Sequence, residues 1–122
     1  MKFGIDIHGV SDTKKKFFAI FSQRAISNGH EVHVVTGSQK TPETEKQLKE
    51  YGIQYKHFFS ISDKLLSENK LTHWTGPGDP WFAADDWNPA KANYCKEQGI
   101  DLHFDDSNEY GKHFETLYVK VI

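Results

Sequence analysis

Five short runs rich in β-branched and aromatic residues alternate with helical patterns along this chain. They cover residues 2–7, 31–36, 53–59, 101–104 and 116–122. Strands that alternate with helices are typical of a parallel sheet with helices packed on both faces. We therefore expect an α/β fold, a three-layer Rossmann-like sandwich around a mostly parallel five-stranded sheet.

Helix start and stop signals separate these runs. Thr41-Pro42 places proline at the first position of a helix that should end at Gly52. Asn88-Pro89 begins another helix, which should run to Gly99. Residues 70–87 break the alternation and hold all three tryptophans, so we predict a long loop with one short extended piece around Trp81-Phe82. Loops of this length inside a compact domain often have a function.

Composition limits the class of protein. A chain of 122 residues is the usual size of one domain, so we expect residues 1–122 to form a single unit. The net charge of −2 and the single arginine argue against a nucleic-acid partner. No apolar run is long enough to span a membrane. The single cysteine, Cys95, rules out an intrachain disulfide, and Met1-Lys2 leads directly into a strand without a secretory signal, so we predict a cytoplasmic location.

Polar side chains follow three of the predicted strands. Asp6 and His8 end the first, Thr36 and Ser38 the second, and Asp105-Asp106 the fourth. Because ligands of open α/β sheets bind outside the carboxyl ends of the strands, we expect these groups to share one site. Lys91, in the first turn of the helix after Asn88-Pro89, would add a cation. A carboxylate nucleophile, a hydroxyl, a lysine and an acidic Mg²⁺ site form a coherent set for phosphoryl transfer.

The order of these groups resembles the four motifs of the haloacid dehalogenase-like (HAD) hydrolases, most of which are magnesium-dependent phosphatases. IDIHG resembles their first motif, a strand ending in Asp-x-Asp-Gly, at Asp6. VVTGS resembles the second at Thr36, NPAKANYCKEQGI the third at Lys91, and LHFDDS the fourth at Asp105-Asp106. Each motif alone is weakly specific, whereas four in order over nearly the whole chain are fairly specific for the fold.

The resemblance implies a role for each residue. Asp6 would be the nucleophile that forms an aspartyl-phosphate, and Lys91 would assist it while binding phosphate together with Thr36 and Gly37. Mg²⁺ would be held by Asp6, the backbone carbonyl of His8, and Asp105 or Asp106. The substrate would be a phosphorylated compound.

His8 departs from the family pattern, because phosphatases of this kind usually have an acid–base aspartate there. An imidazole with a pKa near ~6.5 could protonate the leaving oxygen and later activate water. It could equally leave a catalytically silent or attenuated domain that binds a phosphorylated ligand or a protein partner. No cap domain fits between Gly9 and the first helix, and residues 70–87 could supply a small aromatic flap but not a domain, so we expect an open site. Such a site suits a large substrate or one enclosed by a neighbouring subunit of an oligomer.

Plainer interpretations exist for each group. Asp6 and Asp105-Asp106 could cap turns, Thr36-Gly37 is ordinary turn chemistry, and Lys91 could be a solvated helix lysine. Asp85-Asp86 is a rival acidic pair, which we interpret as solvated. His30 and His33 lie three residues apart, on opposite faces of a strand, which argues against a metal ion shared between those two.

Overall fold

The structure, a computed structural model, describes residues 1–122. Seven strands are present: β1 (Lys2–Ile5), β2 (Glu31–Thr36), β3 (His57–Ser60), β4 (Leu71–Gly76), β5 (Asp79–Phe82), β6 (Leu102–Asp105) and β7 (Leu117–Lys120). The helices are α1 (Lys15–Ser27), α2 (Pro42–Tyr51), α3 (Ile61–Ser67), α4 (Ala84–Trp87), α5 (Ala90–Gln98) and α6 (Asn108–Gly111). None of these helices has the length and apolarity that a membrane crossing requires. The cytoplasmic location stays a prediction.

Five strands form one sheet in the order β3-β2-β1-β6-β7, and every neighbouring pair is parallel. The expected five-stranded parallel α/β sheet is therefore confirmed. From β1 the chain builds outward through β2 and β3, and later returns to the other side of β1 with β6 and β7. The order reverses between β1 and β6, and a crevice for ligands is expected at the carboxyl ends of those two strands.

Alternate residues of β2 pack into two different cores, which accounts for the three layers. Val32 and Val34 belong to a cluster with Phe18 of α1 and Leu48 of α2. Val35, on the opposite face, packs with Cys95 of α5 and Ile100. Since successive strand residues point to opposite faces, this division places α1 and α2 on one side of the sheet and α5 on the other.

Two helix ends follow the sequence signals closely. The side chain of Thr41 accepts a hydrogen bond from the Thr44 N–H at 3.1 Å, and Pro42 occupies the first helical position of α2. Gly52 ends this helix with φ +77°, in the left-handed region where a side chain would be strained. Thus α2 has the boundaries that its sequence predicts.

Of the five predicted strands only β2 keeps its predicted bounds, and the end of β1 and the start of β3 show why the others shift. β1 ends at Ile5, two residues early, because Ile7–Ser11 forms a π-type turn in which Gly9 has φ +79°. β3 begins at His57 rather than at residue 53, because Ile53 packs into the core beneath α1 and α2 as the chain approaches the sheet. The first shift leaves Asp6 directly after the strand.

The prediction of a loop at residues 70–87 is wrong for most of that segment. β4 and β5 form an antiparallel hairpin, in which Gly76 pairs with Asp79 across a two-residue turn at Pro77-Gly78. Gly78 has φ +71°, which suits the second central position of a Pro-Gly turn. The tight turn and the aromatic residues flanking it were a hairpin signal, and α4 then completes the segment.

Candidate functional site

The polar strand ends meet in a cleft of about 510 Å³ at the carboxyl edge of the sheet. Six of the seven predicted site residues line it: Asp6, His8, Thr36, Gly37, Lys91 and Asp106. The seventh, Asp105, is fully buried and contacts the cleft through Lys91. The topology thus brings together groups that lie up to 100 residues apart in the chain.

Lys91 connects the two buried carboxylates of the site. Its Nζ donates a hydrogen bond to Asp105 Oδ2 at 2.8 Å and lies 3.2 Å from Asp6 Oδ2. It also lies 4.6 Å from the centre of the Tyr110 ring, on the side where α6 closes the cleft. Burial lowers the pKa of Lys91, but attraction to Asp6 and Asp105 outweighs burial, so its pKa is raised and the ammonium stays charged.

Asp105 has its hydrogen-bonding capacity largely filled by protein. Oδ2 accepts bonds from Lys91 and from His103 Nε2 at 2.9 Å, and Oδ1 accepts one from the Asp106 N–H at 2.8 Å. Burial alone would raise the pKa of Asp105, but the bond from His103 and the charge of Lys91 bring it well below its ordinary value. Asp105 is therefore an ionised partner for Lys91.

Asp6 is less well compensated. It is only 4% exposed, and its Oδ1 has no hydrogen-bond partner although the atom is buried. Burial raises the pKa of Asp6 to about 7, against the attraction of Lys91. An unpaired carboxylate oxygen below the protein surface is costly. The single charge of Lys91 neutralises Asp105, to which it is closer, and no second cation neutralises Asp6.

The carboxylates have the chemistry of a site for a hard divalent cation. One oxygen each from Asp6, Asp105 and Asp106 lies within 4.8 Å of the others. Mg²⁺ prefers carboxylate oxygens together with water and substrate phosphate. The unpartnered oxygen of Asp6 is the atom that such a cation would satisfy, so the residues present fit Mg²⁺.

Asp106 approaches the turn after β1. Its carboxylate lies so close to Gly9 that a Cβ on that residue would collide with it. Glycine is therefore required at this position for two reasons, the close approach and the left-handed φ of +79°. Unlike Asp105, Asp106 is exposed, which leaves its carboxylate accessible to a cation in the cleft.

His8 lies at the rim of the cleft, and its side chain is 66% exposed. Its Nε2 is 2.9 Å from Ser38 Oγ, and its Nδ1 is 3.5 Å from Asp12 Oδ2. Asp12 also accepts a hydrogen bond from the Gly9 N–H at 2.8 Å, which ties the imidazole to the turn. The ring is therefore oriented by two neighbours and remains open to solvent and to the cleft.

Thr36 and Gly37 form the wall of the cleft at the end of β2. The Thr36 side chain is buried, and its Oγ1 accepts a hydrogen bond from the Ser38 N–H at 3.3 Å. The Gly37 carbonyl accepts a bond from Ser62 Oγ at 2.6 Å. A Cβ on Gly37 would collide with the Trp87 ring, so this tryptophan packs directly against the wall.

Sequence reasoning missed two contributors to the site. His103 holds Asp105, and Tyr110 covers Lys91. Residues 78–80 of the hairpin line the far side of the cleft, in the segment from which the sequence predicts a small flap. His103 and Asp105 are two apart in a strand, a spacing that puts both side chains on one face and was a usable signal. No comparable pattern points to Tyr110. The rival pair Asp85-Asp86 lies in α4 and does not line the cleft.

Compared with known proteins, the chain matches no family model, no curated protein and no solved structure. The likeness to HAD hydrolases therefore depends on the four motifs and on the position of their residues in the fold.

Proposed function

We propose that this protein is a magnesium-dependent phosphomonoester hydrolase of the HAD type, in which Asp6 is the nucleophile. The observation that carries the proposal is the uncompensated carboxylate of Asp6 at the point where the strand order reverses. A structural carboxylate would be expected to have its hydrogen bonds filled, as those of Asp105 are. An oxygen left without a partner suits a residue that meets a cation and a substrate.

Mg²⁺ would be held by Asp6, Asp106 and the backbone carbonyl of His8, and when bound it offsets negative charge between carboxylate and phosphate. Between the two adjacent aspartates, Asp106 is the better ligand because its carboxylate is exposed. Asp105 is instead a positioning residue, since its oxygens hold Lys91 in place.

The reaction would proceed in two displacements at phosphorus. In the first, an Asp6 oxygen bonds to phosphorus while the bond to the leaving oxygen breaks, and protonated His8 gives that oxygen its proton. In the second, neutral His8 takes a proton from water, which attacks phosphorus and releases Asp6 and inorganic phosphate. Lys91, Thr36 and the backbone at Gly37 would bind the other phosphoryl oxygens.

Phosphate release from p-nitrophenyl phosphate in the presence of Mg²⁺ tests the nucleophile. Asp6→Asn should reduce turnover by more than about a thousandfold, because an amide cannot form the acyl phosphate. Asp85→Asn is the matched control, since it makes the same chemical change at an exposed residue outside the cleft. Retained activity in Asp6→Asn would refute the assignment.

His8→Ala separates the acid–base role from metal binding. Because only the backbone of His8 would contact the cation, turnover should fall by about 10²–10⁴-fold while the affinity for Mg²⁺ stays the same. His73→Ala, which alters an exposed histidine of the hairpin, should change neither quantity. A parallel loss of turnover and Mg²⁺ affinity in His8→Ala would contradict the acid–base role.

A second function, a silent or attenuated domain that binds a phosphorylated ligand, is favoured by one observation. The His8 imidazole is engaged with Ser38 and Asp12 rather than standing free over Asp6. In that case Mg²⁺ and inorganic phosphate would bind the wild type, but no phosphate ester from a panel of metabolites would be hydrolysed. Hydrolysis abolished by Asp6→Asn would exclude the silent alternative.

The small size of the β4–β5 hairpin suggests what size of substrate the cleft would accept. Residues 78–80, at the end of its turn and the start of β5, form one wall of the cleft, but the hairpin is a small flap and does not enclose the site as a domain would. Trp74 and Trp81 are exposed on this hairpin. We therefore expect a phosphorylated substrate with a large or extended leaving group.

A further inference from the structure

A second group of metal-binding side chains lies at the opposite end of the sheet. Glu31 and His33 are two apart on β2, so both point to the same face. His57 of β3 is in register with His33, and the two imidazole rings lie 4.5 Å apart. The parallel pairing of β2 and β3 thus brings one carboxylate and two imidazoles together at the amino ends of these strands.

We propose that Glu31, His33 and His57 form a site for a divalent transition metal ion, Zn²⁺ by preference. This site is separate from the cleft and does not depend on the function proposed for it.

The distances suit this coordination. Glu31 Oε1 lies 3.1 Å from His33 Nε2 and 3.5 Å from His57 Nε2, and one ligand atom of each residue lies within 4.8 Å of the others. In a tetrahedral zinc site with bonds of about 2.0–2.1 Å, ligand atoms are separated by about 3.3 Å. The two distances from Glu31 Oε1 to the imidazole nitrogens are therefore close to the tetrahedral value. Three protein ligands would leave the fourth position for water or an exogenous group.

His33 also has the outer partner expected of a metal ligand. Its Nδ1 lies 2.7 Å from the Tyr94 hydroxyl, which can accept the Nδ1–H and so direct the lone pair of Nε2 toward Glu31 and His57. Tyr94 is fixed in turn by stacking on Phe59 at 4.2 Å.

The site has an entry path for an ion. His33 is buried, whereas the side chain of His57 is 47% exposed, so the group opens to solvent on the β3 side. Imidazole ligands select zinc-like ions over Mg²⁺, which prefers oxygen donors. The two ends of the sheet therefore differ in the ion that they would bind. His30 is not part of the group, because its Nδ1 lies 2.8 Å from the amino terminus.

Titration calorimetry of untagged protein with Zn²⁺, in excess Mg²⁺ to occupy the aspartates, tests the proposal. Wild type should bind one Zn²⁺ per chain, and Co²⁺ should give the intense visible bands of a tetrahedral N/O site. His57→Ala should abolish binding, and since this side chain is half exposed the variant should fold. Tyr94→Phe keeps the stacking and should weaken binding by about 10–100-fold.

Two controls locate the ion. His73→Ala removes an exposed histidine elsewhere, and Asp6→Asn disables the aspartate cluster, so both variants should bind Zn²⁺ as wild type does. The proposal is overturned if wild type binds no Zn²⁺, or if His57→Ala binds it as tightly as wild type. Loss of binding in Asp6→Asn with retention in His57→Ala would also overturn it, because the ion would then lie in the cleft.

Discussion

Asp6→Asn should make the metal-free protein more stable, although it abolishes the proposed activity. The ionised carboxylate of Asp6 is buried beside Asp105, and its Oδ1 has no partner. Replacing it with a neutral amide of the same shape removes the cost of burying that charge. The 3.2 Å contact with Lys91 is lost, but Lys91 keeps its shorter bond to Asp105.

The gain depends on pH in a defined way. An aspartate in the unfolded chain loses its proton near pH 3.8, whereas folded Asp6 retains it until about pH 7. Between these values the folded state binds more protons, so the free energy of unfolding of wild type falls as pH rises. At about 1.4 kcal/mol per pH unit over about three units, the cost above pH 7 is at most about 4 kcal/mol. Below pH 4 Asp6 is protonated in both the folded and the unfolded state, so this cost disappears.

Urea unfolding in EDTA, followed by tryptophan fluorescence at pH 8 and at pH 4, measures this gain. Asp6→Asn should exceed wild type by about 2–4 kcal/mol at pH 8 and by much less at pH 4. Asp85→Asn should have the same free energy of unfolding as wild type at both pH values. Saturating Mg²⁺ should stabilise wild type, by about 2.7 kcal/mol at a hundred times its dissociation constant, and have little effect on Asp6→Asn. An Asp6→Asn protein no more stable than wild type at pH 8 would show that the Asp6 charge is compensated.

Three further predictions concern other parts of the site and core. Gly9→Ala should lower the free energy of unfolding by more than the ~1–2 kcal/mol that alanine costs in a left-handed conformation, and should weaken Mg²⁺ binding, because the new Cβ meets Asp106. Gly29→Ala is the control in the same urea and Mg²⁺ titrations, since Gly29 has a similar φ but open space around it and so shows the backbone cost alone. Lys91→Met should cost about 3–5 kcal/mol in urea unfolding at neutral pH, since two buried carboxylates lose their cation. Burial raises the pKa of Cys95 to about 12, so iodoacetamide at pH 8 should alkylate it, as measured by mass spectrometry, only after unfolding.

The sequence predicted the frame of the site well, because strand ends and helix caps are local signals. β2 has its predicted bounds, and the reversal of strand order explains why Asp6 and Asp105 meet. The sequence could not show that Asp105 and Asp106 have different surroundings, since only the fold reveals that Asp105 is buried against Lys91 and that Asp106 is exposed. The carboxylate left without a partner likewise depends on three-dimensional packing.

The errors have local causes. Residues 70–87 break the alternation of strands and helices and so suggest a loop, although a Pro-Gly pair between aromatic segments also forms a hairpin turn. The sequence suggests only His30, its near neighbour, as a companion for His33. Its actual partners are Glu31, two residues away on the same face, and His57, which only strand pairing brings adjacent.

One row of residues crosses the sheet between the cleft and the group of Glu31, His33 and His57. The register aligns His57, His33, Gly4, His103 and Tyr118 on the five strands, all on the face covered by α5. The row is polar on both sides of its centre, and a Cβ on Gly4 would collide with His103 Nδ1. Glycine therefore leaves room for His103 beside β1, while His103 Nε2 lies 2.9 Å from Asp105, which in turn holds Lys91. His33, on the other side of Gly4 in this row, instead contacts Glu31, so the two histidines have carboxylate partners toward opposite ends of the sheet.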